Sequence, residues 1–192
     1  MIETKAINEL IKNRRSIFPK TYIDKPIPKE IIEQVLENAN WAPTHKLTEP
    51  WRFKVFTGAS LELLGTTLAD IYKAYTPEEK FQERKFKKTS IKVMKSGCVI
   101  AVCMQRDLEE RIPEWEEIAS VACAVQNMYL TCAAYEIGSY WSSPGYIKSP
   151  ATEEFLKLKE GERCLGFFYM GYHNMPQLEG KRQPISEKIE WM

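Results

Sequence analysis

Residues 114–137 read EWEEIASVACAVQNMYLTCAAYEI, and this stretch decides what kind of fold the chain can form. Glu116 and Glu117 stand in its first turn, where negative charge stabilises the positive end of a helix dipole. Apolar side chains occupy nearly every face, which is typical of a helix buried on all sides. Polar residues such as Asn127 interrupt the run and argue against a membrane span. The stretch therefore predicts a central helix with Gly138 as its C-terminal cap.

Strands are predicted on both sides of this helix. Residues 98–104 form an unbroken apolar run after a glycine, which is typical of a strand buried on both faces. Residues 140–143 and 164–172 predict two further strands. Residues 51–57 alternate apolar and polar side chains, as a strand with one wet face does.

Helices are predicted in the remaining segments. Apolar spacing predicts a first helix capped by Thr4 that ends near Asn13, and a second that begins at Pro28 and stops before Ala42. Further helices are expected over residues 61–75 and 152–158, and the charged amphipathic stretch 77–95 is expected to form a lid or a solvated helix pair. This order of elements predicts an α+β fold in a single domain, residues 1–192.

The composition excludes several classes of function. The chain of 192 residues carries 27 Lys+Arg and 26 Asp+Glu, so it has no field of one sign that would favour nucleic acid or a membrane surface. Residues 1–15 lack the apolar core of a signal peptide, and we expect a cytoplasmic protein. The five cysteines contain no Cys-x-x-Cys and are expected to be reduced core residues, while His45 and His173 have no second ligand at metal-site spacing. We therefore expect no metal.

Two basic clusters remain as candidate binding residues. Arg14, Arg15 and Ser16 follow the first helix, and Lys181 and Arg182 lie in the tail. Guanidinium groups beside a hydroxyl can bind a phosphate, but arginines at a helix C-terminus also stabilise the helix dipole while remaining solvated. Neither G-x-G-x-x-G after a strand nor a P-loop is present, so a nucleotide would need another means of binding.

The sequence resembles the nitroreductase family of flavoproteins, and specifically its small bacterial branch. The resemblance rests on NRRS at residues 13–16 and on WAPTHKLTEPWRF at residues 41–53, with the pattern A-P-x-x-x-x-x-x-P-W-x-F. It continues through residues 141–144 and 165–171 to the basic tail. It implies a nitroreductase-like α+β fold with a central, mostly antiparallel sheet flanked by helices. It also implies non-covalently bound FMN and a homodimer whose chains share the flavin sites.

The resemblance further implies roles for individual residues. Those expected to contact FMN are Arg14, Arg15 and Ser16 at the phosphate and ribityl end, Lys181 or Arg182 closing the phosphate site, Trp41 and His45 from the partner chain, and Trp141, Ser142 and Ser143 along the isoalloxazine ring. Without the resemblance, Trp41 would be interpreted as a core aromatic, His45 as a loop histidine, and the two serines as turn residues. No catalytic side chain is identified.

Two departures from the family pattern concern charge. Phe18 stands where many relatives carry a lysine near the flavin pyrimidine, and Lys181 and Arg182 are adjacent where many carry K-x-R. The cation that stabilises the reduced ring is therefore left open, with Arg15 as a candidate.

The implied activity is hydride transfer from NAD(P)H through FMN to a nitroaromatic, quinone or similar small acceptor by a ping-pong mechanism. The alternatives are a reductase of the same fold with a different acceptor, and a flavin-binding sensor or store without turnover. The homodimer is also expected to cover four aromatics that otherwise cap the chain's own core: Phe81, Phe86, Trp115 and Trp191.

Overall fold

A computed structural model of the chain describes residues 3–192, so Met1 and Ile2 of the expected domain lie outside the described residues. The helices and strands follow in this order: α1 (Thr4–Asn13), α2 (Lys29–Asn40), β1 (Trp51–Phe56), α3 (Ala59–Tyr75), α4 (Glu83–Met94), β2 (Cys98–Gln105), α5 (Glu114–Ala134), β3 (Ile137–Ser142), α6 (Pro150–Phe155) and β4 (Glu162–Tyr172).

The four strands form one antiparallel sheet with the order β1-β2-β4-β3. The predicted buried strand is confirmed, because β2 is buried along almost its whole length and pairs on both sides. The α+β class with a central antiparallel sheet is likewise confirmed. β3 lies at an edge of this sheet, beside the segment that follows α1.

Helices cover both faces of the sheet. On one face, α2 and α5 bury Val35 and Met128 against Ile100 and Phe168. On the other face, α3 and α4 pack against Phe167 and the neighbouring core residues. Because successive strand residues point to opposite faces, the adjacent pair Phe167 and Phe168 belongs to two separate cores.

Two expectations about the central helix are wrong. α5 ends at Ala134, and the left-handed residue after it is Glu136, with φ of 55°. Gly138 lies inside β3, where a Cβ atom would come within 2.7 Å of His173 and 2.9 Å of Ile17, so close packing requires this glycine. α5 is also buried along one stripe only, since Trp115 on its other side is 67% exposed.

The start of the first helix differs from its prediction. Thr4 is the first helical residue of α1, and Glu3 occupies the cap position without a side-chain cap bond. The helix ends at Asn13 as predicted. α2 begins at Lys29, directly after the predicted Pro28.

Segment 77–95 folds onto its own chain. α4 packs along α3 and buries Thr89 and Val93, so it is not a solvated helix pair. Phe81 stacks on Tyr72 with ring centroids 5.7 Å apart, and Phe86 lies beside Phe81. These two aromatics therefore cap the chain's own core, whereas Trp115 and Trp191 remain exposed.

All five cysteines are free thiols. Four are buried, but Cys123 is exposed on α5, so its assignment to the core is wrong. Within residues 3–192, no group of three or more His, Cys, Asp or Glu side chains is arranged to hold a metal ion. No helix in that range is long and apolar enough to cross a bilayer.

Candidate functional site

The basic pair after α1 is held between the helix end and the edge strand. Arg14 leaves the helical conformation, with ψ of 129°, and its N–H still donates to the Leu10 carbonyl. Ser16 forms a parallel bridge with Ser139 of β3, and the Ile17 N–H donates to the Ser139 carbonyl at 3.0 Å. The three motif residues are therefore fixed at one end of the sheet edge.

Arg15 has a partly unsatisfied guanidinium group. Its Nη1 donates to the carbonyls of Lys12 at 2.6 Å and Arg14 at 2.8 Å. Its Nε is buried and has no hydrogen-bond partner among the described residues. The group lies directly against the tail, because a Cβ atom at Gly180 would come within 2.0 Å of Nη2. A buried donor without a partner is costly, so this atom marks a place where a ligand oxygen would be favourable.

These groups line a cleft of about 750 Å³, here called the arginine cleft. Its cationic lining residues are Lys12, Arg14, Arg15 and Arg182, against the single carboxylate of Glu179. Among the described residues, Arg182 lines the cleft and Lys181 does not. The Arg182 Nη1 donates only to the neighbouring Lys181 carbonyl at 2.7 Å, which leaves most of its donors available.

Tyr129 of α5 connects the basic motif to the edge strand, and the sequence analysis missed it. The Arg14 guanidinium lies 5.0 Å from the centroid of its ring. Its hydroxyl accepts the Trp141 N–H at 2.6 Å. Burial raises the pKa of this hydroxyl, although Trp141, Ser16 and Arg14 act in the opposite direction. The apolar pattern of residues 114–137 concealed Tyr129, because a tyrosine there is also a normal core residue.

The segment Trp141, Ser142 and Ser143 lies at the end of β3 and packs directly against Gly166 of β4. Gly166 of β4 has a φ of 143°, and a Cβ atom there would come within 2.6 Å of the Ser142 carbonyl and 2.7 Å of the Ser143 Oγ. The Ser143 Oγ donates to the Leu165 carbonyl. The Trp141 indole Nε1 is buried without a partner among the described residues. The segment thus has a fixed backbone and one unused donor.

Trp41 and His45 lie apart from these residues. Trp41 is 78% exposed and its Nε1 donates to Glu37 at 2.9 Å, while the His45 Nδ1 lies 2.6 Å from a Glu116 carboxylate oxygen. Neither residue lines the arginine cleft of its own chain. The loop that carries them holds three non-glycine residues at positive φ, a strained arrangement that is common at functional sites: Lys46, Leu47 and Glu49.

A larger cavity of about 970 Å³ opens beside Phe18. Its walls include Phe18, Tyr72, Tyr140 and Tyr146, with the rings of Phe18 and Tyr140 4.6 Å apart. No aspartate or glutamate of residues 3–192 lines it. We call it the lysine cavity after its cationic lining residues, which are Lys20, Lys85, Lys88, Lys92, Lys95 and Lys148. Four of these, Lys85, Lys88, Lys92 and Lys95, follow one another at helical spacing along α4 and just past its end. This spacing is present in the sequence, but the high overall charge of segment 77–95 obscured it.

Lys92 is the half-buried member of this lysine set. Its Nζ lies 4.9 Å from the centroid of the Tyr169 ring. Burial, together with the nearby Lys88, lowers the pKa of Lys92 to about 8. The hydroxyls of Tyr146 and Tyr169 are buried without partners among the described residues, and burial raises the pKa of both.

Fold and site together define an α+β protein with a cationic cleft beside an edge strand. Residues 11–172 match the model of the Nitroreductase family. The chain is 30% identical to the Bacillus subtilis protein named "Putative NAD(P)H nitroreductase YfhC", over 97% of this chain and 94% of that protein. The chain therefore belongs to the nitroreductase family, as its motifs predicted.

Solved structures agree with this assignment. The nitroreductase-like family protein from Bacillus cereus has a TM-score of 0.83 and 30% identity, covering 100% of this chain and 98% of that one. A Desulfovibrio desulfuricans protein solved in complex with FMN has a TM-score of 0.73 and 23% identity, with coverage of 100% and 98%. At that identity the second structure supports the fold alone.

Proposed function

We propose that this protein is an FMN-dependent oxidoreductase that passes a hydride from NAD(P)H through bound FMN to a nitroaromatic, quinone or similar small acceptor. The observation that carries the proposal is the arginine cleft, where Arg15 offers a buried Nε that has no partner within residues 3–192, and where Arg14 and Arg182 also line the walls. Family membership and the names of the relatives support the same conclusion, and a D. desulfuricans protein of the same fold has been solved in complex with FMN. The fold is also shared with a Mycobacterium smegmatis nitroreductase solved with NADPH.

The residues of the cleft fit the phosphate end of FMN. Arg14, Arg15 and Arg182 would hold the phosphate oxygens, and the Ser16 hydroxyl would donate to the phosphate or the ribityl chain. Charge-assisted bonds of this kind are the strongest hydrogen bonds available to a protein. Gly180 matters here because any side chain at that position would displace the Arg15 guanidinium.

The segment 141–143, packed on Gly166, fits the isoalloxazine ring of FMN. Trp141, Ser142 and Ser143 would lie along the ring, and their backbone is fixed by Tyr129 and by the Leu165 carbonyl. Bound FMN supplies reversible two-electron chemistry for which this chain has no suited side chain. The residues of the protein would therefore bind FMN, orient it and stabilise the charge that develops on it.

Positive charge for the reduced ring would come from the lysine cavity. Phe18 removes the lysine that the family motif usually carries, but Phe18 lines a cavity with six lysines. Arg15 is held in the arginine cleft by two carbonyls and Gly180, so we assign it to the phosphate and not to the ring. The cavity's potential would stabilise negative charge that develops on the flavin during reduction.

A homodimer would complete the site. Leu47 is 79% exposed in the strained loop, Trp41 is exposed where that loop begins, and Trp115 is exposed at the start of α5. In the tail, Trp191 is 91% exposed. Several large apolar side chains left exposed in this way are typical of a surface that an obligate dimer buries. Trp41 and His45, which do not reach the cleft of their own chain, would then contact the flavin of the partner.

The chromophore of the purified protein tests this proposal. We expect a yellow protein that releases FMN on heat denaturation and oxidises NADH or NADPH when a nitroaromatic or quinone is added. Release of FAD instead of FMN would contradict the assignment of the arginine cleft to a terminal phosphate. A colourless protein that does not bind added FMN would overturn the proposal.

A further inference from the structure

The lysine cavity lies where a second molecule could meet the proposed flavin. Phe18 follows the Ser16 motif by two residues, and Pro144 follows Ser143 directly, and both line the cavity. The cavity therefore borders both segments that we assign to FMN. Its volume of about 970 Å³ is at the upper end of the range for small-molecule sites.

The charge of this cavity is not balanced by the protein. No carboxylate in residues 3–192 lies within 4.0 Å of the ammonium groups of its six lysines. Some exposed lysines elsewhere on the helices do have such partners, for example Lys87 with Glu83 at 3.4 Å. Partial burial of a cation without a counter-charge is unfavourable, and Lys92 shows it in a pKa lowered to about 8. A ligand anion would relieve this cost.

The walls add a second preference. Tyr72 and Tyr146 meet edge to face with centroids 6.4 Å apart, and Phe18 and Tyr140 form a second aromatic pair. Flat aromatic ligands pack well against such rings. Tyr146 lines the cavity, and its buried hydroxyl has no hydrogen-bond partner in the described part of the chain.

We infer that the lysine cavity selects small aromatic acceptors that carry an anionic group, such as a carboxylate or sulfonate. The anion would lie between Lys88 and Lys92 of α4, and the aromatic ring would pack against the tyrosine walls. This inference rests on the proposed function for the acceptor's reduction, but binding of the anion does not require turnover.

A matched pair of acceptors tests the inference in the FMN-loaded protein. Para-nitrobenzoate carries the anion, and methyl para-nitrobenzoate is its neutral ester. We expect the ratio of kcat/KM for the acid to kcat/KM for the ester to be about tenfold or more higher in the wild type than in a Lys88→Met, Lys92→Met double variant. The control is Lys87→Met, on the same helix but outside the cavity, which should keep the wild-type ratio.

A binding measurement separates failure of this inference from failure of the proposed function. Calorimetric titration with para-nitrobenzoate should show binding that the double variant weakens about tenfold, whether or not the protein turns over. An acid-to-ester ratio of kcat/KM that is the same in wild type and double variant, or equal carboxylate affinity in the two proteins, would overturn the inference. So would a double variant in which the KM for NADPH rises while the acid-to-ester ratio stays unchanged, because the lysines would then serve a nucleotide phosphate.

Discussion

At the scale of single residues, the Arg15 guanidinium has a donor that an oxygen of a bound phosphate would satisfy. Its Nη1 is satisfied by two backbone carbonyls and its side chain is fixed against Gly180, but its Nε has no partner in the described residues. Arg14 and Arg182 stand in the same cleft with guanidinium groups that the protein leaves largely free. An anion placed there gains several charged donors without rearranging the core.

We expect Arg14→Ala and Arg182→Ala each to weaken FMN binding about ten- to a hundredfold, because each removes a charged partner worth roughly 1.5 to 3 kcal/mol. The dissociation constant is measured by fluorescence titration of the apoprotein with FMN. Lys181→Ala is the matched control, since Lys181 lies outside the cleft, and its affinity should stay near that of the wild type. Unchanged affinity in the Arg14 variant would contradict the phosphate assignment.

Lys92 gives a prediction about pH. Burial and Lys88 lower its pKa to about 8 from the usual 10.5, so between these pH values the unfolded chain binds more protons than the folded one. In that window the free energy of unfolding due to Lys92 rises with pH. Lys92→Met should therefore be more stable than the wild type at pH 7, by up to about 3 kcal/mol, and the difference should shrink as the pH approaches 10.5. Thermal unfolding of both proteins over this pH range measures it, and a gap independent of pH would refute it.

Two residues of the candidate site, Arg182 and Tyr129, could not be assigned from the sequence. The motif at residues 13–16 marked the arginine cleft, but its spacing could not distinguish Lys181 from Arg182. That choice depends on how the tail passes over Arg15, which Gly180 determines through a contact distant in sequence. Tyr129 was missed because its role depends on two partners, Arg14 and the Trp141 N–H, that come from other elements.

At the scale of elements, a buried ion pair fixes the start of α5 to the end of β2. Glu117 is fully buried, and its carboxylate accepts from the Arg106 guanidinium and from the Asp107 N–H at 2.7 Å. The Arg106 Nη2 also donates to the Ile112 carbonyl at 2.8 Å. The Glu117 carboxylate thus holds the end of β2 and the start of α5 together.

We expect Glu117→Gln to lower the free energy of unfolding by about 3 kcal/mol, because it leaves the Arg106 charge without its counter-charge in a buried setting. Urea denaturation should show a lower midpoint with an unchanged slope. Glu109→Gln is the control in the same connection, since Glu109 is exposed and pairs with Arg111 at 3.3 Å only on the surface. That variant should stay within about 0.5 kcal/mol of the wild type. A Glu117 variant as stable as the control would show that the ion pair does not hold the helix.

An element whose faces have the same surroundings could be predicted from its sequence, whereas an element with one buried and one exposed apolar face could not. β2 is an unbroken apolar run because both of its faces are covered, so its sequence has a single explanation. α5 is apolar on one side for its own core, yet its other side exposes Trp115 and Cys123. A single sequence cannot distinguish a face that packs within the chain from one that is left for a partner.

At the scale of the whole molecule, the lysine cavity and the shared flavin site are assembled from segments far apart in sequence. The cavity's lysines come from positions 20 to 148, so only the α4 subset had a readable spacing. The proposed dimer similarly joins the loop with Trp41 and His45 to the arginine cleft of the other chain. Neither arrangement follows from local propensity.

Mixing two variants tests the shared site. If His45 acts on the partner's flavin, a heterodimer of an Arg14→Ala chain and a His45→Ala chain has one site with both lesions and one with neither. We expect such heterodimers to recover about one intact FMN site per dimer, measured by FMN titration of purified, differently tagged pairs. Two equally impaired sites, or a monomer that retains FMN in sedimentation, would contradict the prediction.

The most direct test of the proposed function follows the two half-reactions separately under anaerobic conditions. The FMN-loaded protein is mixed first with NADH or NADPH, and then with a nitroaromatic or a quinone, while the visible absorbance of the bound flavin is recorded. The account predicts that one of the nucleotides abolishes this absorbance without any acceptor, that the acceptor restores it, and that steady-state double-reciprocal plots are parallel. Bound flavin that stays oxidised with both nucleotides would contradict it and would favour a flavin-binding sensor or store.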